Sequence, residues 1–185
     1  MRCFIAIELP QNIRQAIVAI SAPLRQECRR ATWVAAGNLH LTVRYLGSLS
    51  DRELESIDRG LREIVSDLPR FTLRIHGLGA FPSQMDPKVL WMGASTSSNG
   101  LDALQSRCES IARNTGLAPD TRNFHPHVTF ARVKSPLAIP LALNTLQPGQ
   151  LVDAGEFEVP GVSLFQSELT PRGPIYTRHQ EYLFS

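Results

Sequence analysis

The sequence predicts an α+β fold built from two similar lobes, and three observations carry that prediction. Helix-like and strand-like segments alternate, but without the regular βαβ spacing of a doubly wound sheet. The strand-like segments are mostly short and bounded by Gly or Pro. A strand motif, His-x-Thr followed by an apolar residue, occurs twice after a helical segment: His40-Leu41-Thr42-Val43 and, 87 residues later, His127-Val128-Thr129-Phe130. Two lobes of similar build would set these strands side by side across a cleft.

Each element has its own justification. Arg2–Glu8 is an almost wholly apolar strand closed by Pro10. Ile13, Ile17, Ile20 and Leu24 then recur at helical spacing over residues 11–28. A short strand is predicted at Thr32–Val34. Strict alternation over Leu39–Leu46 puts Leu39, Leu41, Val43 and Tyr45 on one face and His40, Thr42, Arg44 and Leu46 on the other. Ser50 and Glu53 form a capping box, and Leu54, Ile57, Leu61, Ile64 and Leu68 mark the helix behind it, which Pro69 stops.

Phe71–Ile75 reads as a strand, Gly77–Pro87 as a loop or lid, and Val89–Met92 as a strand. Leu101, Leu104, Cys108 and Ile111 face inward from a helix over Asn99–Thr115, ended by Gly116. The second motif strand is His125–Val133. Residues 136–152, broken by Pro136, Pro140 and Pro148, read as a loop with one short helix at most. Strands near Phe157–Val159, Val162–Gln166 and Ile175–Leu183 close the chain.

Composition narrows the function class. The 185 residues are 43% hydrophobic and 19% charged, which suits one compact domain and not a disordered tail. No apolar run approaches the roughly 20 residues that a membrane-spanning helix needs. The apolar start is cut by Glu8 and lacks a small-residue cleavage site, so it does not read as a signal peptide. Three cysteines, Cys3, Cys28 and Cys108, with no Cys-x-x-Cys pair, speak against a disulfide framework and for the cytoplasm. The net charge of +2 is too small to announce nucleic-acid binding by itself. Seventeen of the 19 basic residues are arginine, a composition that GC-rich codons would also produce.

The two motifs carry the chemistry. Residues i and i+2 of a strand share a face, so each motif presents one imidazole and one hydroxyl to the same space. Two histidines can divide one reaction, the first taking a proton from the nucleophile and the second giving one to the leaving group. The threonine hydroxyls, with a nearby arginine, can hold phosphate oxygens. No metal or cofactor is called for: Glu8, Asp51 and Asp120 form no ligand cluster, and no Gly-rich phosphate loop is present.

Other readings attach to the neighbours. His125 shares the His127 face and suits an orienting group, a rival base, a solvated neighbour or, with His127 and His40, a zinc ligand. Arg132 points away from His127 under strict alternation, and a bulge would redirect it. Arg44 shares the His40 face and, like Arg132, could reach phosphate or stay solvated. His76 and His179 read as surface residues. Trp33, Phe81, Trp91 and Phe124 are candidates for base stacking or for the core.

The motifs and their surroundings resemble the RNA 2′,3′-cyclic phosphodiesterase (2′-5′ RNA ligase) family of the two-histidine phosphoesterase superfamily, over nearly the whole chain. Arg2-Cys3-Phe4-Ile5-Ala6-Ile7 resembles its first strand. Trp33 and Asn38-Leu39-His40-Leu41-Thr42-Val43-Arg44-Tyr45-Leu46-Gly47 resemble its first motif, and Phe124-His125-Pro126-His127-Val128-Thr129-Phe130-Ala131-Arg132 its second. Ser167, Leu169, Gly173 and Tyr176 match its Ser-x-Leu-x-x-x-Gly-x-x-Tyr tail. Arg44-Tyr45 and Phe130 depart from the more usual residues without removing a functional group.

The resemblance implies a two-lobed, pseudo-symmetric domain over residues 1–185, with antiparallel sheets facing a central cleft and helices on the outer faces. It implies hydrolysis of RNA or nucleotide 2′,3′-cyclic phosphate ends to 2′-phosphates, with 2′-5′ ligation as the reverse reaction. His40 would be the proton donor and His127 the proton acceptor, with Thr42, Thr129 and Arg132 on the phosphate. The substrates would be RNA or nucleotides with no membrane involved; the cysteines point to the cytoplasm, and a monomer is the default, with the oligomeric state open. The alternatives are a non-catalytic RNA- or nucleotide-binding module, or a phosphodiesterase for another cyclic phosphate such as ADP-ribose 1″,2″-cyclic phosphate.

Overall fold

The structure, a computed structural model, describes residues 1–27, 31–133, 152–170 and 173–185. Most of the 136–152 segment and Cys28 lie outside the described residues. In chain order the elements are β1 (Arg2–Glu8), α1 (Gln11–Glu27), β2 (Ala31–Trp33), a single 3-10 turn (Ala36–Asn38), β3 (His40–Ser48), α2 (Asp51–Val65), β4 (Phe71–Pro82), β5 (Pro87–Ser95), α3 (Gly100–Asn114), β6 (His127–Val133), β7 (Asp153–Val159), β8 (Gly161–Thr170) and β9 (Gly173–Leu183).

Local chemistry explains these boundaries. β1 is buried from Cys3 through Ile7, so both of its faces are covered, and its sequence is correspondingly a continuous apolar run. α2 opens on the expected capping box: the Glu53 amide donates to Ser50 Oγ and the Ser50 amide donates to Glu53 Oε2 at 2.7 Å. α3 ends where Gly116 takes φ +94°, a left-handed conformation natural to glycine.

The strands form one hydrogen-bonded order, β7-β4-β5-β6-β3-β1-β8-β9, with β2 added to β6, and the sheet curls into a half-barrel. The two expected sheets are the halves of this order, β7-β4-β5-β6 and β3-β1-β8-β9. They meet antiparallel at Leu41–Val128, two side chains with no solvent exposure. The α+β expectation holds. The helices are exchanged between the halves: α1 leaves β1 but packs on β7 and β6, while α3 leads toward β6 but packs on β3. α2 packs on α3 and β9. A single apolar core, with Ile5, Ile17, Leu41, Leu61, Leu73, Leu104 and Val128 among its members, runs beneath both halves.

One segment departs from the sequence reading. Residues 77–87 are mostly strand, with β4 continuing to Pro82 and β5 beginning at Pro87. The glycines that suggest a loop have other uses. Gly77 sits at φ +69° where the β4–β5 register shifts, a bulge. Gly79 makes room for Trp91, as described below. β7 likewise starts earlier than expected, at Asp153, with Gly155 at φ +103° beside a bulge at Ala154 where its register against β4 shifts.

Candidate active site

The Leu41–Val128 pairing fixes the site. Both side chains point into the core, so the residues flanking them emerge on the opposite, concave face. Continued one step either way, the antiparallel register sets His40 against Thr129 and Thr42 against His127. Two copies of His-x-Thr thus become one cross-strand array of two imidazoles and two hydroxyls.

Each motif strand then bulges at the same place. On β3, Ala6 pairs with Thr42 and Ile5 with Arg44, so Val43 is the extra residue. On β6, Trp91 pairs with Thr129 and Leu90 with Ala131, so Phe130 is the extra residue. A bulge reverses the facing of everything beyond it. Arg44 turns inward to 7% exposure, and Tyr45 turns out at 40%. This corrects the alternation reading, which put Arg44 and Leu46 on the His40 face and Tyr45 on the opposite one; Leu46 is 6% exposed, in the core. The bulge in β6 buries Ala131 and brings Arg132 onto the concave face with His127 and Thr129. Tyr45 and Arg132 thereby occupy equivalent positions, each five residues after its histidine.

Arg44 is fully used elsewhere. Its Nε donates to Glu109 Oε2 at 2.6 Å, and its remaining nitrogens donate to the carbonyls of Ala118, at 2.6 Å, and Tyr45. It ties β3 to α3 and the chain beyond it, and does not reach the cleft. Among the described residues no carboxylate pairs with Arg132.

The histidines are held by one device used twice. His40 Nδ1 donates to the Asn38 carbonyl at 2.7 Å, and His127 Nδ1 donates to the His125 carbonyl at 2.6 Å. Each acceptor is two residues upstream. The anchored Nδ1 fixes the tautomer and leaves Nε2 as the working nitrogen. His40 Nε2 lies 3.1 Å from Thr42 Oγ1. Burial lowers the pKa of His40 below that of an ordinary histidine, and the positive charges of His127 and Arg132 add to the effect. His127 is lowered too, first by burial and then by His125 and Arg132, while its bond to the His125 carbonyl opposes the shift.

A cleft of about 320 Å³ gathers His40, Thr42, His127, Thr129 and Arg132, all five residues singled out in the sequence. Its other walls come from Thr32, Trp33, Asn38, Phe4, Tyr45, Ser167, Pro174 and Tyr176. Ser167 and Tyr176 are cross-strand partners in the β8–β9 hairpin, and the Tyr176 ring meets His40 edge-on at 5.2 Å. Of these wall residues the sequence singles out Trp33 alone as a binding candidate, for base stacking. The tail motif pointed to Ser167 and Tyr176, but nothing in the sequence told how far the hairpin would fold back.

His125 is exposed and contributes its carbonyl to His127. His76 Nε2 lies 2.8 Å from Ser95 Oγ, and His179 is exposed. Glu8 accepts from Ser163 Oγ at 2.6 Å and from Arg178 at 3.1 Å. Among the described residues no three His, Cys, Asp or Glu side chains are grouped so as to hold a metal ion. Cys3 and Cys108 are buried free thiols, and burial pushes Cys108 up to about 12.

Comparison with known proteins agrees with this geometry. The sequence model of the 2′-5′ RNA ligase superfamily matches residues 9–170. A protein of Aeropyrum pernix named RNA 2′,3′-cyclic phosphodiesterase is 36% identical over 165 residues, 89% of each chain. A protein of the same name from Methanothermobacter thermautotrophicus is 31% identical over 177 residues, covering 96% of this chain and 95% of its own. Among solved structures, Escherichia coli LigT complexed with 3′-AMP superposes with a TM-score of 0.79 at 28% identity, covering 100% of this chain and 98% of its own. A Thermus thermophilus protein reaches a TM-score of 0.84 at 28% identity, with the same coverage. With a family model that spans most of its length and relatives above 30% identity along nearly all of it, this chain belongs to the 2′-5′ RNA ligase superfamily.

Proposed function

We propose that the cleft hydrolyses 2′,3′-cyclic phosphates at the ends of RNA or on nucleotides, leaving 2′-phosphates. The observation that carries this reading is the pair of histidines, each anchored through Nδ1 and each presenting Nε2 to one cleft. The names of the relatives and the 3′-AMP bound to LigT support the substrate class.

The chemistry follows from the arrangement. Neutral His127 takes a proton through Nε2 from a water that attacks phosphorus. The P–O3′ bond breaks opposite the entering oxygen, and protonated His40 gives its Nε2 proton to the departing O3′. Thr42, Thr129 and Arg132 hold the non-bridging oxygens, whose charge grows in the transition state. The five-membered ring is strained, so two proton transfers and a fixed geometry supply most of what the step needs. The Nε2 proton of His40 donates to Thr42 Oγ1 until the leaving oxygen takes it. A binding module would have no use for two aligned Nε2 atoms, which is why we favour an enzyme.

Residues 1–185 act in this reading as one two-lobed catalytic domain, a cytoplasmic monomer needing no cofactor. No helix among the described residues is long and apolar enough to cross a membrane. The test is hydrolysis of a nucleoside 2′,3′-cyclic phosphate and of a short RNA ending in one, in chelator, with the product isomers resolved. A 2′-phosphate product is expected. A 3′-phosphate product, or turnover that depends on added metal, overturns the mechanism.

A further inference from the structure

The two histidines differ in what surrounds them. His40 stacks on Phe4, at 4.8 Å and 4% exposed, and meets Tyr176 edge-on. His127 borders a second group of rings, part-buried at Phe81 and Trp91 and exposed at His125. Phe81 lies 5.1 Å from its ring and Trp91 5.9 Å, and the exposed His125 meets Trp91 at 4.8 Å.

Register puts this surface on the cleft side of the sheet. Trp91 pairs with Thr129, so both side chains leave the same face, and Gly93 pairs with His127. On the far side Trp91 pairs with Gly79. A Cβ on Gly79 would stand 2.2 Å from two carbons of the indole, and one on Gly93 would lie 3.7 Å from its rim. The absence of a side chain at Gly79 lets the indole lie across β4 and β5, while the Gly93 contact with it would be an ordinary one. A part-buried, ring-lined floor results, with His125 exposed at its edge, extending from His127 away from His40.

The direction of the chemistry says what this floor faces. In the proposed reaction the ribose of the cyclic phosphate is on the His40 side, because O3′ leaves there. The entering nucleophile stands opposite, beside His127. We propose that Phe81, Trp91 and His125 form a stacking platform for the terminal nucleoside of a second RNA strand, whose 5′-hydroxyl takes the place of water.

The step balances. The 5′-oxygen bonds to phosphorus as its proton passes to His127; the P–O3′ bond breaks as His40 protonates O3′. The product is a 2′-5′ phosphodiester, and the ring strain provides the driving force. Stacking on aromatic side chains accepts any base, which suits joining of strands without sequence preference.

This inference rests on the reaction assigned above, and the test separates the two. A short RNA with a 2′,3′-cyclic phosphate is incubated with excess 5′-hydroxyl oligonucleotide, and ligated and hydrolysed products are measured in the same tube. Both nucleophiles compete for one phosphate, so any general injury to His127 cancels in their ratio. Trp91→Leu and Phe81→Leu should each lower the ratio of ligation to hydrolysis by ~10-fold, the scale of one lost base–aromatic stack. Trp91→Phe should recover part of it, and Phe81→Leu answers the question alone if Trp91→Leu does not fold. An unchanged ratio in these variants overturns the platform, as does wild-type protein that hydrolyses without forming any ligated product. Absence of hydrolysis overturns the proposed function itself.

Discussion

Leu41 and Val128 meet side chain to core where β3 and β6 join, and that contact turns two distant motifs into one site. Each is fully buried, so His40, Thr42, His127 and Thr129 all leave the sheet on its other face. The pairing is antiparallel, so each histidine is set against the other motif's threonine.

The pH dependence follows from burial. His40 and His127 both have pKa values held below that of an ordinary histidine. In the proposed mechanism the active form of the free enzyme has His40 protonated and His127 neutral. Because the His40 proton is lost earlier than from a histidine in water, the alkaline limb of log kcat/KM against pH should have an apparent pKa below about 6.5. An alkaline limb above 7 would contradict it. The same shifts bear on stability. The unfolded chain binds protons more readily than the folded one here, so this contribution is complete above the unfolded pKa and is lost as pH falls through the folded values. Denaturant midpoints should therefore rise between pH 5 and 7, and His40→Gln should flatten the rise.

Arg44 and Arg132 should part company under mutation. Arg132→Ala removes a cation from the cleft and should lower kcat/KM by about 10²-fold, with little change in unfolding free energy. Arg44→Ala leaves Glu109, 17% exposed, without its 2.6 Å partner. It should cost about 3 kcal/mol of stability and leave the turnover of the folded fraction close to wild type. Urea unfolding beside steady-state kinetics reads both quantities, and the reverse assignment of effects would refute the bulge argument.

Gly79→Ala tests the packing under the aromatic floor. The new methyl would fall 2.2 Å from the Trp91 ring and force it off the sheet. A loss of about 1–3 kcal/mol is expected, with a change in tryptophan fluorescence. A variant as stable as wild type would mean that the indole does not lie there.

Much of this was legible in the sequence. Alternation about Leu41 and Val128 exposed the two motifs, and the helix from Asp51 announced itself through Ser50 and Glu53. Two kinds of feature were not legible. A bulge adds one residue to a strand without a mark in the sequence, so Arg44 and Tyr45 read on the wrong faces and Arg132 read away from the site. Long-range packing was also hidden: Gly79 looks like a turn residue until Trp91 is seen above it, and nothing local places α1 and α3 on opposite halves. The tail residues Ser167 and Tyr176 fell between, marked by their motif but located only by the β8–β9 hairpin.

The most direct test of the central claim, that His40 and His127 divide the two proton transfers, is hydrolysis of an RNA 2′,3′-cyclic phosphate by His40→Ala, His127→Ala and the double variant. Each single variant should lose about 10²–10⁴-fold in kcat while keeping the wild-type melting temperature within a few degrees. The double variant should lose less than the product of the two, because residues that act as a unit are not additive. Turnover near wild type in either single variant would contradict the account.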